Sequence, residues 1–191
     1  MAMLDRETVL SMGFASVGEN VLISDRASLY NCANISLGNN VRIDDFCVLS
    51  AGTGGISIGN YIHIAVYSSL IGASSITLLD FCNISSKVAI YSSSDDFSGK
   101  WMTNPTVPSE FTNVFHANVV IGRHAIIGSG AVILPGVVIE EGVAIAALSL
   151  VKKHCMAFGI YMGTPAKKIA ERKRNLLELE EKFLSTLEQT S

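Results

Sequence analysis

Two groups of residues in this chain have the chemistry to act on a ligand. In the segment YSSSDDFSGKWMTNPTVPSEFTNVFHAN, Asp95 and Asp96 are adjacent carboxylates and His116 follows near the far end. An imidazole exchanges protons near neutral pH, and an aspartate can do so when burial or a neighbouring carboxylate raises its pKa. Asp95 serves equally well as the cap of a local turn. Around them stand the aromatic rings of Tyr91, Phe97 and Trp101 and the polar side chains of Ser94, Thr103 and Asn104. The second group is cationic: Lys152, Lys153, Lys167, Lys168, Arg172, Lys173 and Arg174 are half of the 14 lysines and arginines, in a chain of net charge −3. Such a cluster suits a phosphate-bearing ligand, although a solvated helix face explains Arg172 to Arg174 as well.

The elements that must position these groups follow from a period of six. From Phe115, an apolar residue returns at Ile121, Ile127, Ile133, Ile139, Ile145 and Val151, and a small or β-branched row runs through Val119, Ala125, Ala131, Val137, Val143 and Ser149. An α-helix would bring apolar residues back at three and four. A strict period of six predicts an all-β solenoid in which each hexad makes one flat side and three hexads close a coil. The frame starts at Val17 and slips after Leu29, Leu49, Leu70 and Ile90, the last slip being the longest and ending at Phe115. Each slip follows a third hexad, so all the insertions fall near one corner. Glycines such as Gly38, Gly59, Gly122, Gly128, Gly136 and Gly142 are expected to supply the φ > 0 that sharp corners require.

The domain plan is then a cap over 1–16, a hexapeptide solenoid over 17–151 with an inserted loop at 92–114, and a basic segment with a C-terminal helix over 152–191. The helix is expected from about Ala166 to Leu187, with Ile169, Leu176, Leu179, Phe183, Leu184 and Leu187 as its apolar stripe. A structureless loop as long as 92–114 is usually functional. Hydrophobic residues make up 49% of the chain and charged residues 16%, yet no run is long enough to suggest a membrane span. The N-terminal stretch reads as no signal peptide, so a cytoplasmic location is expected. Cys32, Cys47, Cys82 and Cys155 lack CxxC spacing, and Cys47 and Cys82 fall in the inward row as buried thiols. The acidic balance argues against nucleic-acid binding. The four histidines show no metal-ligand spacing, so no metal is expected.

The run IGRHAIIGSGAVILPGVVIEEGVAIAALSLV followed by MGTPAKKI resembles the left-handed β-helix hexapeptide acyltransferases. It is similar within them to the maltose and galactoside O-acetyltransferases and to bacterial surface-polysaccharide acetyltransferases, over residues 17–172. The resemblance implies a left-handed solenoid, a homotrimer and acetyl-CoA as cosubstrate. It implies that Ser129 and Ala147 offer main chain to the pantetheine arm, and that Lys152, Lys153 and Lys167 face the phosphates. It also implies an acceptor site at the base of the loop; there the rings of Tyr91, Phe97 and Trp101 can stack on a sugar and Ser94, Thr103 and Asn104 can bind its hydroxyls, while Trp101 serves equally well to anchor the loop.

The resemblance places a catalytic histidine at the loop base, where this chain has Asp95. Three readings remain open: Asp95 or Asp96 as base, His116 as base oriented by Asp95, or no strong base because the acceptor is an amine that attacks in its neutral form. The expected function is acetyl transfer from acetyl-CoA to a hydroxyl or amine of a sugar, in surface-polysaccharide synthesis. A non-catalytic trimeric scaffold is the alternative.

Overall fold

The structure, a computed structural model, describes residues 2–188. The hexad pattern becomes a parallel β-solenoid of about 7 turns. Three sheets form its sides. The first runs through the strands Ser16–Val17, Ile35–Leu37, Ile56–Ile58, Ile76–Leu78, Val119–Ile121 and Val138–Ile139. The second begins at Leu22–Ile23 and passes through Ile62–Ile64 and Ala144–Ile145 to Gly159–Gly163. The third starts at Ser28–Tyr30 and ends at Leu150–Val151. Within each sheet, identical inward positions stack. Ile58 pairs with Leu78, Leu78 with Ile121, and Ile121 with Ile139. Ile64, Ile84, Ile127 and Ile145 do the same on the second side, and Leu70, Ile90, Ile133 and Val151 on the third. These side chains are at most 2% exposed. Each contributes on the order of 1.5–3 kcal/mol of burial, which no isolated coil could secure. The small row is equally buried, and Cys47, Cys82 and Cys155 sit in the core as free thiols.

The insertions all leave the corner between the third and first sides, as the slips indicated. The phase of the frame after the long loop differs from the expectation. Phe115 is 59% exposed and lies outside the solenoid, in a two-stranded antiparallel ribbon where Ser93–Ser94 pairs with Phe115–His116. The solenoid resumes at Val119–Ile121, which pairs with Ile76–Leu78. A period of six cannot fix which of three sides a hexad occupies, and Phe115 falls into the count by coincidence.

The corner glycines divide into two kinds. Gly136 and Gly142 have φ of 82° and 67° and meet the expectation. Gly38, Gly59, Gly122 and Gly128 do not have positive φ: a Cβ on Gly128 would lie 2.5 Å from Ala147 N, and one on Gly38 2.5 Å from Gly59 O, so close stacking of coils excludes a side chain. At the corner joining the first and second sides, the left-handed position is held by Asn20, Asn40, Tyr61, Phe81 and His124. Their flat side chains stack into a ladder, with Tyr61 to Phe81 and Phe81 to His124 both 5.0 Å between centroids. Stacking between coils offsets the backbone strain of that conformation.

Each end carries a helix. The first, α1 (Arg6–Ser11), is capped by Asp5, which accepts from Thr8 N at 2.7 Å, and buries Val9 completely. The second, α2 (Asn175–Glu188), starts later than expected. Ala166–Glu171 is a strand antiparallel to Gly159–Gly163, and Ile169 on it is exposed. The backbone hydrogen bonds offered by the open edge of the second sheet override the helical spacing there. The helix lies along the ladder corner: Phe183 meets Tyr61 and Phe81 edge-on at 5.2 and 6.3 Å, and Glu180 reaches Arg123 and His124.

Candidate active site

The third-to-first corner, from which the loop emerges, also carries the candidate site. Tyr91, Ser93, Ser94, Asp95 and Phe97, together with Leu134, Pro135 and Leu150 from the two following coils, surround a cavity of about 620 Å³. A second cavity, of about 500 Å³, lies under the loop between Ile71, Ser93 and Asp95 and the segment containing Asn104, Val107 and Thr112. Ser93 and Asp95 line both. One carboxylate therefore stands at the junction of the two cavities.

A third cavity, of about 310 Å³, lies at the end of the solenoid, between Lys152 and Lys153 after the third side and Pro165, Ala166 and Lys167 of the terminal hairpin. Successive coils rise by about 4.8 Å, so Lys152 and Lys153 follow a strand two coils beyond that of Tyr91, and Leu134, Pro135 and Leu150 lie on the coils between. Cations at one end and an apolar channel leading to a carboxylate suit a ligand with a phosphorylated head and a long arm. Three of the other basic residues are committed to structure, while Lys173 is exposed. Arg172 Nη1 donates to the carbonyls of His124 and Gly142 at 2.8 and 3.0 Å, Arg174 stacks over Phe158 at 4.4 Å, and Lys168 pairs with Glu171 at 2.5 Å. Among the described residues, Lys152, Lys153 and Lys167 have no carboxylate partner.

The remaining residues singled out in the sequence divide. Asp96 lines neither cavity: its Oδ1 accepts from Ser98 N at 2.7 Å and Ser98 Oγ at 2.6 Å, and these bonds, the hydroxyl's first, hold its pKa below the usual carboxylate value. It caps a turn. Asn104 likewise accepts from Thr106 N and Oγ1, while lining the second cavity. Trp101 is 46% exposed and lines neither cavity. The ring partner of His116 is Ser93, not Asp95: Nδ1 lies 2.8 Å from Ser93 Oγ. Ser129 and Ala147 sit together on the corner between the second and third sides, where Leu148 N donates to Ser129 O; Lys152 and Lys153 follow the third side, while the hairpin carrying Lys167 stacks on the coil of Ala147. The other histidines have structural partners, His63 in Asp44, His124 in Glu180 and His154 in Glu140. Ser93, Leu134, Pro135 and Leu150 went unnoticed in the sequence; the side of the solenoid each occupies depends on the phase that Phe115 obscured.

A stack of hexad coils with one long insertion above a lysine-ended channel is the architecture of an acyltransferase of the hexapeptide-repeat class, and the chain belongs to that family. The bacterial transferase hexapeptide model, of six repeats, matches residues 114–153. Over 183 residues, 96% of this chain and 95% of the relative, the sequence is 60% identical to a dTDP-4-amino-4,6-dideoxy-D-glucose acyltransferase of Escherichia coli. AntD, an N-acyltransferase from Bacillus cereus in complex with dTDP and 3-hydroxybutyryl-CoA, is 47% identical, with a TM-score of 0.94 covering 97% of this chain and 98% of that one. A serine variant of AntD has also been solved with dTDP-4-amino-4,6-dideoxyglucose and Coenzyme A. A maltose O-acetyltransferase from Clostridium difficile is 21% identical with a TM-score of 0.60, covering 88% of this chain and 75% of that one, and shares the fold alone.

Proposed function

We propose that this protein transfers a short acyl group, acetyl foremost, from acyl-CoA to the 4-amino group of a dTDP-linked 4-amino-4,6-dideoxy sugar. The observation that carries the reading is Asp95 at the junction of two cavities, with an aspartate where a histidine would serve a hydroxyl acceptor. The named ligands of the related proteins support it. CoA occupies the corner channel, its phosphates on Lys152, Lys153 and Lys167 and its thioester near Tyr91 and Leu134. The amino sugar enters the second cavity beneath the loop.

Asp95 accepts a hydrogen bond from the amine and aims its lone pair at the thioester carbon. The C–N bond forms, the C–S bond breaks, and the proton lost by nitrogen ends on the departing sulfur, giving an amide and free CoA thiol. A neutral amine is nucleophilic enough that orientation replaces strong base catalysis. The protein acts as a homotrimer, the assembly that its resemblance to the hexapeptide acyltransferases implies. The setting is cytoplasmic, where acyl-CoA is made, and the product feeds surface-polysaccharide assembly; no helix among the described residues is long and apolar enough to cross a membrane.

The test is thiol release by the purified protein from acetyl-, butyryl- and 3-hydroxybutyryl-CoA with dTDP-4-amino-4,6-dideoxyglucose, with mass spectrometry of the product. A new amide on the sugar is expected; no turnover with any donor contradicts the reading.

A further inference from the structure

The hydroxyl of Ser93 stands between two nitrogens. Ala73 N lies 2.8 Å from Ser93 Oγ and, as a backbone amide, can only donate to it. His116 Nδ1 lies at 2.8 Å from the same oxygen. A hydroxyl offers one proton and two lone pairs. If Nδ1 were protonated, Ser93 would accept from both sides and its own proton would have no partner in this network. If Nδ1 is bare, the amide donates to Ser93, Ser93 donates to Nδ1, and every group is paired. The geometry is fixed by the backbone, because Ser93 and His116 face each other across the two-stranded ribbon at the loop base.

We propose that Ser93 holds His116 in the tautomer protonated on Nε2, so that His116 is a hydrogen-bond donor to the developing oxyanion of the thioester rather than a general base. Ser93 is then a positioning residue. The assignment complements Asp95: a carboxylate orients the amine, and an N–H receives the charge that amine attack places on the carbonyl oxygen. Ser93 lines both cavities, so the imidazole it holds is one hydrogen bond from their junction. The kinetic part of the inference rests on the acyl-transfer reading; the tautomer itself does not.

Two measurements test it. Nitrogen-15 NMR of histidine-labelled protein without ligands, with His116 assigned by its absence in His116→Gln, should show a bare Nδ1 and a protonated Nε2. Ser93→Ala should lose that preference and Ser93→Thr retain it. A protonated Nδ1 in the native protein, or an unchanged tautomer in Ser93→Ala, overturns the proposal. In the enzyme assay, His116→Ala should lower kcat about a hundredfold, the effect of removing one oxyanion donor. His116→Gln, whose amide N–H reaches toward the place of Nε2–H, should stay within about tenfold of native. Equal loss in both variants, or an effect confined to KM, contradicts the donor role. Should the native protein not turn over at all, the acyl-transfer reading fails while the NMR result stands by itself.

Discussion

His124 lies with Nε2 2.7 Å from Glu180 Oε2, and Arg123 takes the other carboxylate oxygen, so a single acidic residue of α2 ties the helix to the ladder corner. The side chain of Glu180 is only 6% exposed. Replacing it with alanine leaves His124 without its carboxylate and Arg123 with only Glu141, at 3.8 Å, and removes the polar half of the docking, whose other half is Phe183 against Tyr61 and Phe81. The expected result is local: amide exchange in α2 accelerates by about tenfold or more while the solenoid core keeps its protection. Uniform acceleration in both would contradict this separation.

The same contact gives a pH dependence. Burial above all, with the Arg123 and Arg172 guanidinium groups, lowers the pKa of His124 from its ordinary 6.5 against the opposing pull of Glu141. The folded state therefore holds a neutral imidazole whose Nε2–H donates to Glu180, whereas the unfolded chain takes up a proton at the ordinary value. Stability from this site is present above that value and is lost as the pH falls below it and toward the folded pKa. Melting curves from about pH 8 to about pH 5.5 should fall more steeply for native protein than for His124→Gln.

The lysine cavity should govern affinity rather than chemistry. Alanine at Lys152, Lys153 or Lys167 should raise KM for acyl-CoA by about tenfold each, as for a charge-assisted hydrogen bond, with kcat within about twofold. With dephospho-CoA donors, which lack the 3′-phosphate, at least one of these substitutions should lose its effect. Steady-state kinetics with the two donor types checks this.

Asp95 and Asp96 are adjacent in sequence and separate in setting, Asp95 lining both cavities and Asp96 capping a turn. Asp95→Asn should lower kcat by about a hundredfold, since an amide orients an amine poorly. Asp96→Asn keeps an Oδ1 acceptor for Ser98 and should stay within about twofold of native.

Much of this arrangement is legible in the residues. The six-residue spacing of isoleucines gives the solenoid, and the slips give the corner, because both are properties of one chain folding on itself. The lysines could be read because half of the chain's cations gather in one short segment. What escapes is whatever depends on phase or on competition for partners. Phe115 fits the count but belongs to the ribbon. Ile169 has helical spacing, yet the sheet edge takes it as a strand. His116 and Asp95 bracket the loop, but Ser93, with no spacing signal of its own, is the hydroxyl that reaches the imidazole.

The central claim is that the acceptor is an amine oriented by Asp95. The direct measurement is the ratio of kcat/KM for dTDP-4-amino-4,6-dideoxyglucose to that for its 4-hydroxy counterpart with the same acyl-CoA. A site without a strong base should favour the amine by at least about a thousandfold. Comparable rates, or ester formation on the hydroxy sugar, would contradict it.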